Sequence, residues 1–352
     1  MLWTRRALLR RAGTLAAAMA MAPLTNLGYL LANTSDLPEG TAPTDADQPP
    51  APLGRVATWG VEIRTEPKRQ AKLVRIARRD EVLVLRGQTT GDALMRHNPV
   101  WFKVDEGWAY SSWIQPVHEQ FQNPEPELAS QHFWGEITVP FTDSRIRPDS
   151  NAGRMMRLYY SSVFRVVGAV VGSDGQWWYQ IRDGIVYGNW GPYIPAAHLR
   201  RFKPEELSPI RPELDPAMKR IEVNIAKQVV TAYEGDTPVM TTRTATGFGP
   251  FQTPRGTFRI IRKRASSRMT GGEGDDFYDL PGVPFPSYFT VSAVALHGTY
   301  WHNDYGRQRS HGCVNVPSPI ARWIWRWTLP VMSYEEVEIR VRDPNATRVI
   351  VI

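Results

Sequence analysis

Short runs of alternating apolar and polar residues, interrupted by proline and glycine, recur along most of this 352-residue chain. Residues 220–225, for example, read Arg-Ile-Glu-Val-Asn-Ile, which is the two-residue period of a strand with one buried face. Because 29 prolines and 27 glycines divide the chain, few segments can sustain the longer period of a helix. The sequence therefore predicts a mainly β protein built from short strands and turns.

Two segments at the N-terminus lack the pattern of a folded domain. Residues 1–32 contain four arginines, all ahead of an apolar, alanine-rich stretch, and no acidic residue. This pattern predicts an export signal that resembles the twin-arginine type. An uncleaved membrane anchor is the alternative interpretation of this stretch. Residues 33–53 are rich in Pro, Thr, Asp and Ala and predict a flexible tether. We therefore expect an exported protein, located at the extracellular face of the membrane, in the cell wall or in the periplasm.

A diverged internal repeat occupies the next part of the chain. The Trp-Gly pair at residues 59–60 recurs at 134–135, and the segment 100–110 recurs at 177–187. In each copy, apolar runs surround a polar turn that contains Asp and Gly, which is the pattern of a β-hairpin. The repeat predicts two small domains of similar fold.

The ends of the two repeats, residues 113–117 and 193–195, resemble the closing strand of bacterial SH3-like domains. We therefore predict SH3-like β-barrels over residues 54–118 and 132–202. These barrels either bind the cell wall or act as spacers. A proline-rich linker, residues 203–217, is expected to follow them.

The single cysteine of the chain, Cys313, lies close in sequence to His297, His302 and His311. A thiol becomes a strong nucleophile as thiolate, and a neighbouring imidazole can accept its proton. Gly312 leaves space beside the sulfur and allows backbone N–H groups to face a developing oxyanion. Two other interpretations remain open at this point: the cysteine is a buried apolar residue, or the four side chains bind zinc.

Two motifs in this region resemble the active-site signature of the L,D-transpeptidases. His-Gly-Thr at residues 297–299 precedes Ser-His-Gly-Cys-Val-Asn at 310–315, and Thr-Pro-Arg-Gly-Thr-Phe at 253–258 resembles an upstream motif of that family. The resemblance implies a β-rich catalytic domain over residues 218–345.

The resemblance also implies a role for each matching residue. Cys313 is the expected nucleophile, His297 the general base, and the backbone carbonyl of Gly298 the group that orients the imidazole. His302 is the alternative base, although it lies closer to the Ser-His-Gly-Cys run. The expected substrate and oxyanion residues are Ser310, His311, Gly312, Asn315 and Tyr288.

The implied activity is 3→3 cross-linking of peptidoglycan, in which a stem peptide forms a thioester on Cys313 and is transferred to an amine of a second stem. Water as the acceptor gives an L,D-carboxypeptidase, and attachment of a lipoprotein is a further outcome within the family. A non-catalytic cell-wall-binding protein is the alternative from another class. We expect no cofactor or metal, a monomer, and membrane contact only through an uncleaved N-terminus. The net charge of +7 falls to 7 − 4 = +3 without the four arginines of residues 1–32, and this modest excess suits an anionic polymer. The chain has no basic run interleaved with aromatic residues that would predict nucleic-acid binding.

The residues around and after Cys313 give further structural expectations. Ser318 is expected to be the N-cap, and Pro319 the first residue, of one short amphipathic helix. Residues 335–342 are expected to close the sheet of the C-terminal domain. Arg307 and Arg309 either meet carboxylates of a stem peptide or are simply solvated. The expected apolar stripe of the helix consists of Ile320, Trp323, Ile324 and Trp327.

Overall fold

Short strands dominate the computed structural model, which describes residues 52–183, 191–274 and 277–352. The chain is mainly β, as predicted. The predicted export signal, nearly all of the predicted tether, and the second strand of the hairpin predicted near residue 184 lie outside the described residues. Within the described ranges, no helix is long and apolar enough to cross a membrane.

The first β-module spans residues 53–117. Its strands form two sheets, in the orders β4-β1-β8 and β3-β2-β7-β6-β5, around a core that includes Val61, Phe102 and Ile114. The strands are β1 (Leu53–Val56), β2 (Gly60–Arg64), β3 (Leu73–Arg78), β4 (Val82–Val84), β5 (Gly87–Met95), β6 (Asn98–Val104), β7 (Gly107–Tyr110) and β8 (Ile114–Val117).

The second β-module spans residues 133–201 and has one sheet in the order β11-β10-β14-β13-β12-β9-β15. This order repeats that of the first β-module, with the long strand β12 in the place of β4 and β5. The strands are β9 (Phe133–Ile137), β10 (Phe141–Arg145), β11 (Arg154–Tyr159), β12 (Val163–Val171), β13 (Trp177–Arg182), β14 (Tyr193–Pro195) and β15 (Leu199–Arg201).

The Trp-Gly pairing used to align the two repeats is wrong. Residues 134–135 lie within β9, the first strand of their module, whereas residues 59–60 lead into the second strand, β2. The equivalent glycines are Gly54 and Gly135, because a Cβ there would come within 2.5 Å of Ile114 and 2.2 Å of Leu199, the first residues of the closing strands β8 and β15. The prediction that residues 193–195 close the second module is therefore wrong, since they form β14 between β10 and β13.

The C-terminal module combines two five-stranded sheets, β18-β17-β16-β27-β19 and β25-β24-β23-β20-β26, with a hairpin of β21 and β22. One helix, α1 (Ser318–Trp327), follows β25 and packs against β24. The strands are β16 (Lys219–Asn224), β17 (Val229–Glu234), β18 (Thr237–Arg243), β19 (Gly256–Arg259), β20 (Arg262–Lys263), β21 (Ser266–Gly271), β22 (Tyr278–Pro284), β23 (Ser287–Tyr288), β24 (Ala295–Gly298), β25 (Val314–Val316), β26 (Ile339–Arg340) and β27 (Arg348–Val351).

The helix α1 differs from the prediction in its buried face. Ile320 and Trp323 are only partly buried, whereas Ala321 and Trp325 join Ile324 and Trp327 in the core. Ser318 is not the N-cap, because Pro317 holds that position and the Ser318 hydroxyl lies 3.0 Å from the hydroxyl of Ser161.

Two predicted segments of the C-terminal module need correction. Within residues 335–342, only β26 is a strand, and it lies at the edge of its sheet beside β20. The central strand β27 pairs with both β16 and β19, so the module extends beyond residue 345. Residues 203–217 are also more than a linker, since Leu207 is buried in the core of this module and Ile210 packs against it.

A buried arginine joins the three modules. The guanidinium of Arg55, 2% exposed, pairs with Asp80 at 2.8 Å and donates to the Gln115 side chain at 2.8 Å. It also donates to the backbone carbonyl of Tyr300 in the C-terminal module at 2.6 Å and lies over the ring of Tyr159 in the second β-module. The position of the loop after β24 therefore depends on the N-terminal modules.

Candidate active site

The parallel pairing of β24 with β25 brings together residues that are far apart in sequence. His297 is in register with Asn315, and Cys313 immediately precedes β25. Side chains two residues apart in a strand face the same side, so Cys313 and His297 face one pocket of about 210 Å³. The lining residues are Met269, Tyr278, Leu280, His297, Trp301, Arg309, Ser310, His311, Cys313 and Asn315.

The imidazole of His297 is buried and held in one tautomer. Its Nδ1 lies 2.9 Å from the carbonyl oxygen of Gly298, and because a carbonyl can only accept, Nδ1 carries the proton. Nε2 is therefore left with a free lone pair. Burial lowers the pKa of His297 to about 4, although the bond to Gly298 opposes this shift. The ring is thus a neutral base at pH 7.

The thiol of Cys313 is half-buried at the pocket wall, with Sγ 3.9 Å from the carbonyl oxygen of Ala293. Burial raises the pKa of Cys313 to about 11, and the backbone of Ala295 opposes the shift. Burial therefore favours the neutral thiol and the neutral imidazole over an ion pair between them before a substrate binds.

The turn before Cys313 requires glycine. Gly312 has a φ of +104°, and its carbonyl accepts from the hydroxyl of Thr253 at 2.8 Å. Thr253 in turn accepts from the backbone N–H of Gly247 at 2.8 Å. Within the described residues, the N–H groups of Gly312 and Cys313 have no hydrogen-bond acceptor, so both are available to an oxyanion.

Two other predicted residues flank this turn. The hydroxyl of Ser310 donates to the backbone carbonyl of Cys313 and so fixes the loop. The exposed ring of His311 lies 4.6 Å from that of Phe251 and 5.0 Å from that of Tyr278, measured between centroids. Ser310 therefore supports the thiol, and His311 forms part of the pocket rim.

The alternative base, His302, has both ring nitrogens engaged. Its Nδ1 accepts from the backbone N–H of Asp304 at 3.1 Å, and its Nε2 lies 3.0 Å from the side-chain amide of Asn315. Burial also lowers the pKa of His302 well below its ordinary value. His302 and Asn315 therefore link the loop after β24 to β25, and the geometry leaves the base function to His297.

Tyr288 does not line the pocket. It is 4% exposed, its hydroxyl donates to Ser267 at 3.2 Å, and Arg262 lies over its ring, so it supports the sheet behind the site. The pocket wall is instead formed by the hairpin β21–β22. The sequence analysis did not identify the pocket residues of this hairpin, which are Met269, Tyr278 and Leu280. The glycine-rich turn at residues 271–274 is the sequence signal that could have predicted the hairpin.

The alternative of a zinc site finds no support in the geometry. Across the described ranges, no group of three or more His, Cys, Asp or Glu side chains is arranged to hold a metal ion. His297 and His302 direct ring nitrogens at backbone or amide groups, as described above.

A neutral base, an accessible thiol and two unpaired N–H groups are the chemical parts of a cysteine-dependent acyl-transfer centre. Residues 218–351 match the sequence model of the YkuD family, described as the L,D-transpeptidase catalytic domain. This part of the chain is therefore an L,D-transpeptidase catalytic domain of the YkuD type.

Solved structures similar to the chain carry the same family name. The catalytic domain of an L,D-transpeptidase from E. faecium is 23% identical, with a TM-score of 0.31, over 38% of this chain and 96% of that one. An L,D-transpeptidase from Mycobacterium smegmatis is 14% identical, with a TM-score of 0.32, over 77% of this chain and 99% of that one. The comparison with curated proteins gave no match. The SH3-like character of the two β-modules remains a prediction.

Proposed function

We propose that the chain is an exported peptidoglycan L,D-transpeptidase that makes 3→3 cross-links, with Cys313 as nucleophile and His297 as base. The observation that carries this proposal is the pairing of β24 with β25, which places a free imidazole nitrogen and the only thiol of the chain in one pocket. An intact pocket of this kind argues against a purely wall-binding role for the C-terminal module.

The reaction proceeds in two acyl transfers. The sulfur of Cys313 attacks the carbonyl carbon of the third stem residue while its proton passes to Nε2 of His297. The N–H groups of Gly312 and Cys313 donate to the oxyanion. The amide C–N bond then breaks. The departing amine of the terminal D-alanine takes the proton from His297, and the stem peptide remains bound to Cys313 as a thioester.

The second transfer restores the enzyme. The side-chain amine of another stem attacks the thioester and forms a new amide bond, and the proton lost by that amine returns through His297 to the sulfur. The thioester retains the energy of the donor amide, so the cross-link forms outside the cell without ATP. If the two β-modules bind the wall, they raise the local concentration of the C-terminal module there.

The test is product analysis by mass spectrometry after incubation with purified disaccharide-tetrapeptides. We expect free D-alanine and a dimer whose fragmentation gives a bond between two third residues. Cys313→Ala should give neither product, and His297→Gln should be slower by a factor of about 100 or more. A tripeptide without dimer would assign carboxypeptidase activity instead. No product from folded protein would refute the proposal.

A further inference from the structure

The pocket contains one permanent charge. Of the described residues that line it, only Arg309 carries a formal charge at every physiological pH, and none is acidic. Burial favours the neutral forms of the Cys313 thiol and the His297 imidazole, so the guanidinium of Arg309 is the charged lining group that a ligand meets. A positively charged lining group favours an anionic group on the ligand.

A buried carboxylate forms an ion pair with the guanidinium of Arg309. Its Nη1 lies 3.2 Å from Asp304, which has no exposed surface, and its backbone N–H donates to Thr246 at 2.8 Å. Asp304 also pairs with Arg307 and, at 2.8 Å, with His97 of the first β-module. Burial alone would raise the pKa of Asp304, but the bond from His97 and the charge of Arg307 hold it well below its ordinary value.

This arrangement fixes Arg309 without neutralising it. One carboxylate faces two guanidinium groups, so the cluster of Asp304, Arg307 and Arg309 keeps a net positive charge. Only one of the five N–H donors of the Arg309 guanidinium has an acceptor among the described residues. The remaining donors can form the paired hydrogen bonds that arginine makes to carboxylates.

We infer that Arg309 is a specificity-determining residue that binds a carboxylate of the donor stem peptide. This inference rests on the proposed function, since it assumes that a stem peptide occupies the pocket. The carboxylate is either that of the terminal D-alanine or a side-chain carboxylate on the third residue. Asp304 is a positioning residue, because it acts through Arg309.

Three synthetic tetrapeptide donors test the inference: one with both carboxylates free, one amidated at the C-terminus, and one amidated at the third side chain. We expect kcat/KM of the full chain to fall roughly tenfold to a hundredfold for the one amide that removes the bound carboxylate, mainly through KM. Arg309→Gln should remove this preference, and Arg309→Lys should restore part of it.

The matched control is Arg307→Gln, since Arg307 pairs with the same carboxylate but does not line the pocket. This variant removes one nearby positive charge but leaves Arg309 its own charge and its remaining N–H donors, so it should weaken the preference for the free carboxylate without abolishing it. The inference is wrong if the unaltered chain uses all three donors equally, if Arg309→Gln slows every donor by the same factor, or if Arg307→Gln also removes the preference. Absence of turnover with every donor would overturn the proposed function, and this inference with it.

Discussion

Burial disfavours the charged forms of both the Cys313 thiol and the His297 imidazole. With a thiol pKa of about 11 and an imidazole pKa of about 4, the neutral pair is the stable state across the physiological range. Proton transfer from sulfur to nitrogen must therefore accompany attack on the substrate, when the oxyanion and its N–H donors compensate for the new charge.

This pair makes a prediction for thiol chemistry in the absence of substrate. The rate at which iodoacetamide alkylates Cys313 should rise about tenfold per pH unit between pH 7 and pH 10, because the thiolate fraction grows toward a pKa of about 11. Intact-mass spectrometry measures the rate directly, and Cys313→Ala should gain no adduct, since the chain has one cysteine. A rate that is constant between pH 6 and pH 9 would instead reveal a preformed ion pair.

At the scale of elements, α1 fixes the strand that carries the base. The helix packs against β24, and its buried residues join the largest core cluster among the described residues. Its last carbonyls are satisfied by two buried lysines, since Lys219 donates to Trp327 and Lys263 donates to Thr328, both at 3.0 Å. The helix is therefore fixed both along its face and at its C-terminal end.

Truncation of the buried face of α1 should destabilise the whole module. Ile324 is 1% exposed, so Ile324→Ala should lower the free energy of unfolding by about 2–5 kcal/mol. The control is Ile320→Ala on the partly buried side, which should cost distinctly less. Urea unfolding of both variants measures the difference, and equal losses would contradict the assigned buried face.

Local patterns predicted strands and motifs well, and contacts between distant elements poorly. The alternation of residues 220–225 identified β16, and the polar turn within residues 100–110 identified the hairpin of β6 and β7. The sequence could not reveal that β27 lies between β16 and β19, because pairing between strands far apart in sequence leaves no local signal. Nor could it show that the Tyr288 hydroxyl contacts Ser267 and that the pocket wall is formed by the hairpin β21–β22 instead.

At the scale of the molecule, each N-terminal module supports one side of the pocket. The first β-module holds the loop after β24, where Ser111 accepts from the Asn303 side chain at 3.2 Å and His97 pairs with Asp304. The second β-module backs the hairpin β21–β22, because Gly282 lies so close to the ring of Phe164 that a Cβ would come within 2.4 Å of it. The pocket therefore depends on all three modules.

Loss of the arginine at the junction should affect both stability and activity. Arg55→Met leaves the Asp80 carboxylate without its shortest ion pair and the Tyr300 carbonyl without its donor, so we expect a loss of roughly 3–5 kcal/mol and slower turnover. Arg86→Met is the control, because Arg86 and Asp105 form an ion pair that is more than half exposed and should contribute about 1 kcal/mol or less. Guanidinium unfolding and turnover assays compare them. Similar results for both variants would show that Arg55 does not hold the modules together.

The presence of a single cysteine also determines how the protein responds to oxidants. A sulfenic acid formed on Cys313 finds no second thiol in the chain with which to close a disulfide. Recovery must then come from an external reductant that can enter the pocket, and over-oxidation to the sulfinic acid would be permanent.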